Sequence, residues 1–297
     1  MIRYWLYRFL AFILPHIAET IGYSLFGLAG DLVYLCAPRI RKQMIGNLRR
    51  VVPPSTDARR LHWLTRQAFR NLLWSYYEMF HLPGYRLDEL KSRVAIEGAD
   101  HCQAAWEAGK GGIIVFTHCG NMEALAQIAL SYSSHKKCLV IAEHMKNERI
   151  FRLMSETRAN KGLVVIPLDQ MLRVVRMLKQ NWIVLVAGDR DKTNSGIVVD
   201  FFGLPARLPD GAVQLALRTG APLFMAYGWR EAKKNGGFLW TSPPTFQARV
   251  FPIPLERSGD FKHDVRNGVE QLVQHLEEII AEFPDQWRAF ERIWLEE

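Results

Sequence analysis

A chain of 297 residues that is 49% hydrophobic and 23% charged has the balance of an ordinary globular protein with one large core, and this excludes an intrinsically disordered chain. Its 38 Lys and Arg residues exceed 30 Asp and Glu by eight, a surplus that favours an anionic partner such as nucleic acid, an acidic carrier protein or a phospholipid surface. Cys36, Cys102, Cys119 and Cys138 form no C-x-x-C pair and no zinc-ligand spacing, which argues against a metal site or a disulfide framework and fits a reducing cytoplasm.

From Tyr4 to Pro38 apolar and aromatic residues dominate, interrupted by Arg8, His16, Glu19 and Asp31. A secretory signal would need a small-residue cleavage site after Leu14, and none follows. A transmembrane helix needs about 20 apolar residues, but Pro15, His16 and Glu19 divide this stretch. Two helices lying in a membrane interface, with Tyr4, Trp5, Tyr7 and Tyr23 as anchors, account for the interruptions better. Residues 1–38 are therefore expected to form an N-terminal membrane-associating helical segment, and residues 39–297 the remaining domain. Arg39, Arg41, Lys42, Arg49 and Arg50 come next, either facing anionic headgroups on the cytoplasmic side or forming a solvated face.

From Thr56 to Phe80, Leu61, Leu64, Phe69, Leu72, Leu73 and Tyr76 recur at helical spacing, and His81-Leu82-Pro83-Gly84 closes the run. After Gly98 short β-branched runs alternate with helical stretches: 112–116, 138–141, 163–166, 182–186 and 222–225. Such alternation predicts an α/β fold with a mostly parallel central sheet flanked by helices. A last helix over 262–283 shows Val265, Val269, Leu272, Val273, Leu276 and Ile279 on one face, and Pro284 ends it.

In open α/β sheets reactive groups gather where strands end and helices begin, and Thr117-His118-Cys119-Gly120-Asn121-Met122-Glu123 follows the strand predicted at 112–116. His118 falls in the turn and Glu123 in the first turn of the next helix, so that a carboxylate could fold back onto the imidazole as in a triad without its serine. Such a pair suits attack by a substrate hydroxyl, with the imidazole as general base and the carboxylate holding its tautomer. With nine histidines in the chain, one such spacing is also what chance supplies.

His118-Cys119-Gly120-Asn121-Met122-Glu123 resembles the H-x-G-N-W-E block of the bacterial lipid A biosynthesis acyltransferase family, within the wider lysophospholipid acyltransferase group that includes the phosphatidylinositol mannoside acyltransferases. Further blocks agree in order: Asn47-Leu48-Arg49-Arg50, Gly109-Lys110-Gly111-Gly112, Arg158 before Gly162, Asp189-Arg190-Asp191, Phe201-Phe202-Gly203, Gly220-Ala221-Pro222 and Gln286-Trp287. Met122 departs from the usual Trp, and Asp210-Gly211 stands where Thr-Gly is common, which puts the shape of the acceptor or acyl pocket in doubt.

The resemblance implies a glycerolipid acyltransferase-like fold and transfer of a fatty acyl group from an acyl carrier protein or coenzyme A thioester to a hydroxyl of a membrane glycolipid or lipid A-type precursor. Phosphatidylinositol mannosides or other phospholipids are alternative acceptors. It implies His118 as base with Glu123 as orienter, and no cofactor beyond the donor. It also implies a substrate-binding role for Asp189, Arg190 and Asp191, which could instead form a strand-end ion pair that holds the loop, and work at the cytoplasmic face of the inner membrane against anionic lipids. Gly120, Asn121 and Arg158 are candidate donors to the tetrahedral oxyanion. Arg158 could instead pair with Glu143 or Glu156. Phe201-Phe202 and Leu223-Phe224-Met225 could line an acyl tunnel or simply pack the core.

Two other functions compete. A non-catalytic binding protein would use the basic surplus, but Lys and Arg are spread along the chain and no nucleic-acid motif appears, so nucleic acid is not an expected partner. A thioesterase would let water replace the acceptor; the absence of a G-x-S-x-G elbow argues against a serine hydrolase.

Overall fold

The computed structural model describes residues 2–132, 137–142, 147–159, 162–231 and 244–295. Helices α1 (Ile2–Ile13), α2 (Glu19–Cys36), α3 (Pro38–Val51), α4 (Ala58–His81) and α5 (Leu87–Arg93) precede the first strand. The order continues β1 (Val94–Glu97), α6 (Ala99–Glu107), β2 (Gly112–Phe116), α7 (Met122–Tyr132), β3 (Cys138–Ala142), α8 (Glu148–Ala159) and β4 (Val164–Pro167). It ends α9 (Met171–Leu178), β5 (Ile183–Ala187), the hairpin of β6 (Ile197–Phe201) and β7 (Leu204–Leu208), α10 (Gly211–Thr219), β8 (Leu223–Glu231), β9 (Thr245–Ile253) and α11 (Phe261–Glu282).

Seven strands form the sheet in the order β1-β9-β8-β2-β5-β3-β4. Five of them, from β8 to β4, run parallel, while β9 pairs antiparallel to β8 and β1 follows β9. The α/β expectation with a mostly parallel sheet is met, and the parallel part is where the apolar runs were continuous. In β2, Gly112 to Val115 are all buried, as a strand covered on both faces requires. The main core lies between the sheet and α10, α11 and α3, while Cys102, Trp106, Ile114 and Leu185 belong to a second cluster on the opposite face, beneath α6 and α7.

The break expected at Pro15 is present, since Leu14-Pro15-His16 forms a short 3-10 turn between α1 and α2. One face of α2 packs closely on α4. A methyl group at Gly30 would lie 2.7 Å from the Arg70 Cα, so only glycine lets the backbones approach this far. Asp31, on the same face, accepts hydrogen bonds from Arg66 and Arg70 at 2.6–2.8 Å. Burial alone would raise its pKa, but the two guanidinium groups outweigh that and hold it at about 2. The opposite face carries Ile21, Leu25, Leu28, Leu32 and Leu35 at intervals of four, three, four and three, and each is at least 40% exposed. Among the described residues no single helix is long and apolar enough to cross a bilayer.

A buried charge pair ties this helical layer to the sheet. Arg230 on β8 donates to Glu78 on α4 at 2.5 and 2.9 Å and also to Asn71, and Tyr23 on α2 donates to the same Glu78 oxygen at 2.9 Å. Both members of the pair are almost wholly enclosed. Removing one partner strands the other charge, so Arg230→Met is expected to lower the unfolding free energy by about 3–5 kcal/mol in urea denaturation. A loss of about 0–1 kcal/mol, as for an exposed pair, would contradict this account of the network.

Candidate active site

β2 and β5 are neighbours, and their register pairs Phe116 with Ala187. Gly188 N–H extends the ladder by donating to the Phe116 carbonyl at 3.0 Å. Two residues past each strand end, the same register sets His118 beside Asp189. The Asp189 carboxylate takes the His118 Nδ1 proton at 2.6 Å through Oδ1 and the His118 backbone N–H at 3.0 Å through Oδ2. Arg190 Nε also lies 3.1 Å from Nδ1. One ring nitrogen cannot both donate to Asp189 and accept from Arg190. The shorter, charged contact places the proton on Nδ1, which leaves Nε2 as the lone pair.

No described residue hydrogen-bonds to Nε2, and the imidazole lines a pocket in which Glu123, Arg158, Arg190, Asp191 and Lys192 are polar groups among mostly apolar walls. Burial lowers the His118 pKa below the ordinary 6.5; Asp189 works against this, and Arg190 and Arg288 reinforce it. The ring is therefore neutral at pH 7 and able to accept a proton. Asp189 has no exposed surface. Burial alone would raise its pKa, but His118 and Arg190 hold it far below the usual carboxylate range, so it stays charged.

The carboxylate hydrogen-bonded to His118 is Asp189 rather than the Glu123 that the spacing suggested. Glu123, in the first turn of α7, is bound instead by Arg158 of α8, whose Nε donates to its two oxygens at 3.2 and 3.0 Å and whose Nη2 completes the fork. Helical geometry explains the outcome: α7 begins at Met122, and its first turn carries Glu123 toward α8 rather than back across the turn. Arg158 outweighs the effect of burial and keeps Glu123 ionised, and His118 adds to this at longer range. The Arg158 partner expected at Glu156 is likewise Glu123, and Glu143 lies outside the described residues.

Two of the three candidate oxyanion donors are engaged elsewhere. Gly120 N–H donates to the Gln286 carbonyl at 3.3 Å, and Arg158 is committed to Glu123. Gly120 has φ +59°, and a Cβ there would sit 2.1 Å from the Gly228 carbonyl oxygen, so the position admits no side chain. Asn121 caps α7 by accepting from Ala124 N–H at 2.9 Å, while its buried Nδ2 has no hydrogen-bond partner among the described residues. Asp191 accepts from Thr193 and Gly196 and shapes the loop on the pocket rim, where Asp210 and Gly211 also lie.

Beside the polar pocket runs a second cavity whose lining is almost wholly apolar, including Ile96, Cys102, Trp106, Ile114, Leu185 and Val250. Phe116, Met122 and Ala126 line both spaces and form the wall between them. Met122, the departure from Trp noted in the sequence, therefore stands at the junction. Of the two readings open for Phe201 and Leu223-Phe224-Met225, tunnel or core, the structure shows core, and Phe202 packs against it. Sequence reasoning missed the α6 wall of this cavity because a single apolar helix face reads the same whether it meets side chains or empty space.

The segment after α11 frames the site from the other side. Cys119 and Trp287 form an antiparallel bridge, Arg288 N–H donates to the His118 carbonyl at 3.0 Å, and Arg190 Nη1 donates to Glu291 at 3.0 Å. Only the Gln286-Trp287 block had marked this segment in the sequence, with no role attached.

Residues 1–296 match the family model described as bacterial lipid A biosynthesis acyltransferase. A phosphatidylinositol mannoside acyltransferase of Mycolicibacterium smegmatis is 29% identical over 260 residues, 86% of this chain and 79% of that protein. One of Mycobacterium tuberculosis is 29% identical over 263 residues, 86% of this chain and 77% of that protein.

Proposed function

The chain belongs to the bacterial lipid A biosynthesis acyltransferase family, and from that premise we propose that it moves a fatty acyl group from an acyl carrier protein or coenzyme A thioester to a hydroxyl of a membrane glycolipid. The observation that carries this reading is an imidazole held through Nδ1 by Asp189, lining a pocket with charged residues directly beside a cavity whose lining is almost wholly apolar. The acceptor hydroxyl gives its proton to His118 Nε2 as its oxygen attacks the thioester carbonyl. Asp189 stabilises the imidazolium that forms. The tetrahedral oxyanion then collapses, the C–O ester bond remains, the C–S bond breaks, and the leaving thiolate takes the proton back from His118.

The apolar lining of this cavity and of the adjoining pocket walls suits an acyl chain, and each methylene sheltered there contributes about 0.8 kcal/mol to donor binding. Arg158 and Glu123, fixed on each other, form one wall of the polar pocket, and Arg190, Asp191 and Lys192 line the space left for the acceptor head or the donor's pantetheine. Among glycolipids, a phosphatidylinositol mannoside is favoured over a lipid A precursor because both relatives quoted above are named for that acceptor. Lipid mass spectrometry of cells that lack or overproduce the chain tests this: one glycolipid species should lose or gain a single acyl chain. An unchanged glycolipid profile with altered free fatty acid would favour a thioesterase.

The site reaches its acceptor from the bilayer surface. In support, Trp5, Leu6, Phe9 and Phe12 of α1 are each more than half exposed, alongside the leucine face of α2. Exposed Arg3, Arg8, Arg39 and Lys42 supply cations for anionic headgroups, whereas Arg41 is partly spent on the Tyr34 carbonyl and Arg50 stacks over Trp294. We infer that the chain works on the cytoplasmic face of the inner membrane, where acyl carrier protein and coenzyme A thioesters are made; the exposed apolar faces and basic residues support attachment to a membrane surface. The double change Leu28→Glu, Leu32→Glu is expected to cut binding to phosphatidylglycerol-containing vesicles at least about tenfold while leaving the circular dichroism spectrum unchanged. Undiminished vesicle sedimentation would remove the leucine face from the account.

A further inference from the structure

Asp189 has two oxygens, and the second is held by more than the backbone. The indole Nε1–H of Trp287 donates to Asp189 Oδ2 at 3.1 Å, next to the bond from His118 N–H to the same oxygen. Trp287 is completely enclosed, packed edge-on to Phe201 and Trp294. Its backbone is equally fixed. Cys119 bridges to it, the preceding Gln286 exchanges two hydrogen bonds with the Arg230 backbone at 2.8 and 3.0 Å, and Gly120 N–H donates to the Gln286 carbonyl. Buried asparagines staple both flanks: Asn71 donates to the Asp285 carbonyl at 2.9 Å, and Asn47 donates to the carbonyls of Ala289 and Glu291 at 2.7 and 2.8 Å.

We propose that Trp287 is a positioning residue for acyl transfer: its indole N–H fixes the rotation of the Asp189 carboxylate and draws charge from it, which sets how strongly Asp189 supports His118. An indole N–H can only donate, so it bonds Asp189 solely as an acceptor and keeps Oδ1 turned to Nδ1. Phenylalanine fills nearly the same space without the donor. With one donor fewer on Oδ2, more carboxylate charge faces the imidazole, and the imidazolium gains stability.

The other groups facing this pair are Arg190 beside Nδ1, Arg288 at the His118 carbonyl, and Glu123 with Arg158 across the pocket. None of them is altered by the substitution. The proposal rests on the acyl-transfer reading above, and the test separates the two.

Acyl transfer by purified wild-type protein, His118→Ala and Trp287→Phe is followed from pH 4.5 to 8. For Trp287→Phe, kcat is expected to fall about tenfold, as for loss of a hydrogen bond to a charged group. Its KM for the thioester should be unchanged, and the acid-limb midpoint of kcat/KM should move upward. A fall in rate with an unmoved midpoint, the signature of a merely structural tryptophan, overturns the proposal. If wild type itself transfers no acyl group, the functional reading fails first.

A second measurement does not depend on activity or on the folding of the Trp287 variant. In the wild-type protein the Trp287 indole N–H resonance should shift across the His118 titration and move in Asp189→Asn. An indole resonance indifferent to both overturns the proposal even if acyl transfer is confirmed.

Discussion

His118→Ala is expected to reduce acyl transfer by at least about 10³-fold, the upper part of the range for a positioned general base, while leaving the fold and vesicle binding intact. The imidazole lies in a turn, lines a pocket and is not part of the apolar core clusters, so its removal leaves no apolar packing to collapse. The pH profile of the unaltered protein carries a further sign. Burial, Arg190 and Arg288 lower the His118 pKa, and Asp189 only partly offsets them. Deprotonation, and with it kcat/KM, should therefore rise with pH through a midpoint below 6.5, the ordinary value for His. A midpoint above 6.5, or a folded His118→Ala protein with ordinary activity, would contradict the assignment of the base.

Asp189→Asn should cost about 10²–10⁴-fold in kcat, because an amide placed against Nδ1 no longer stabilises the imidazolium and can present the wrong partner to the ring. It removes the one strong influence that raises the His118 pKa, so the acid-limb midpoint should move further down. Glu123→Gln should behave differently. Its partner is Arg158, and its loss loosens the pocket wall and should weaken substrate binding while displacing the midpoint less than Asp189→Asn does. Kinetics of the two variants over pH distinguish the carboxylates. If Glu123→Gln shifts the midpoint and Asp189→Asn does not, the orienting group has been misassigned here.

The parallel strands were legible because a strand buried on both faces reads as an unbroken apolar run, as Ile113-Ile114-Val115 does. β9 was hidden by its polar positions and by Pro252, which the sheet tolerates because β1 pairs only with residues 246–249 and leaves that end of β9 unpaired on one side. β1 is four residues long and alternates with solvent, too short to announce itself.

At the site, His118 and the 189–191 block could both be placed at strand ends from sequence. What one sequence cannot show is strand order. β5 lies next to β2 although β3 and β4 intervene in the chain, and that neighbour relation alone puts Asp189 on the imidazole. Local spacing favoured Glu123, which is five residues away in sequence but turned toward Arg158 by the first turn of α7. Trp287 reaches Asp189 from 98 residues downstream, and only the folded chain brings them together.

The most direct test of acyl transfer is to incubate the purified chain with a radiolabelled long-chain acyl thioester, with and without a phosphatidylinositol mannoside in anionic vesicles, and to follow label and thiol together. The account predicts thiol release that depends on the acceptor, with the label in a glycolipid heavier by one acyl ester. Thiol release at the same rate without acceptor, with the label recovered as free fatty acid, would contradict it.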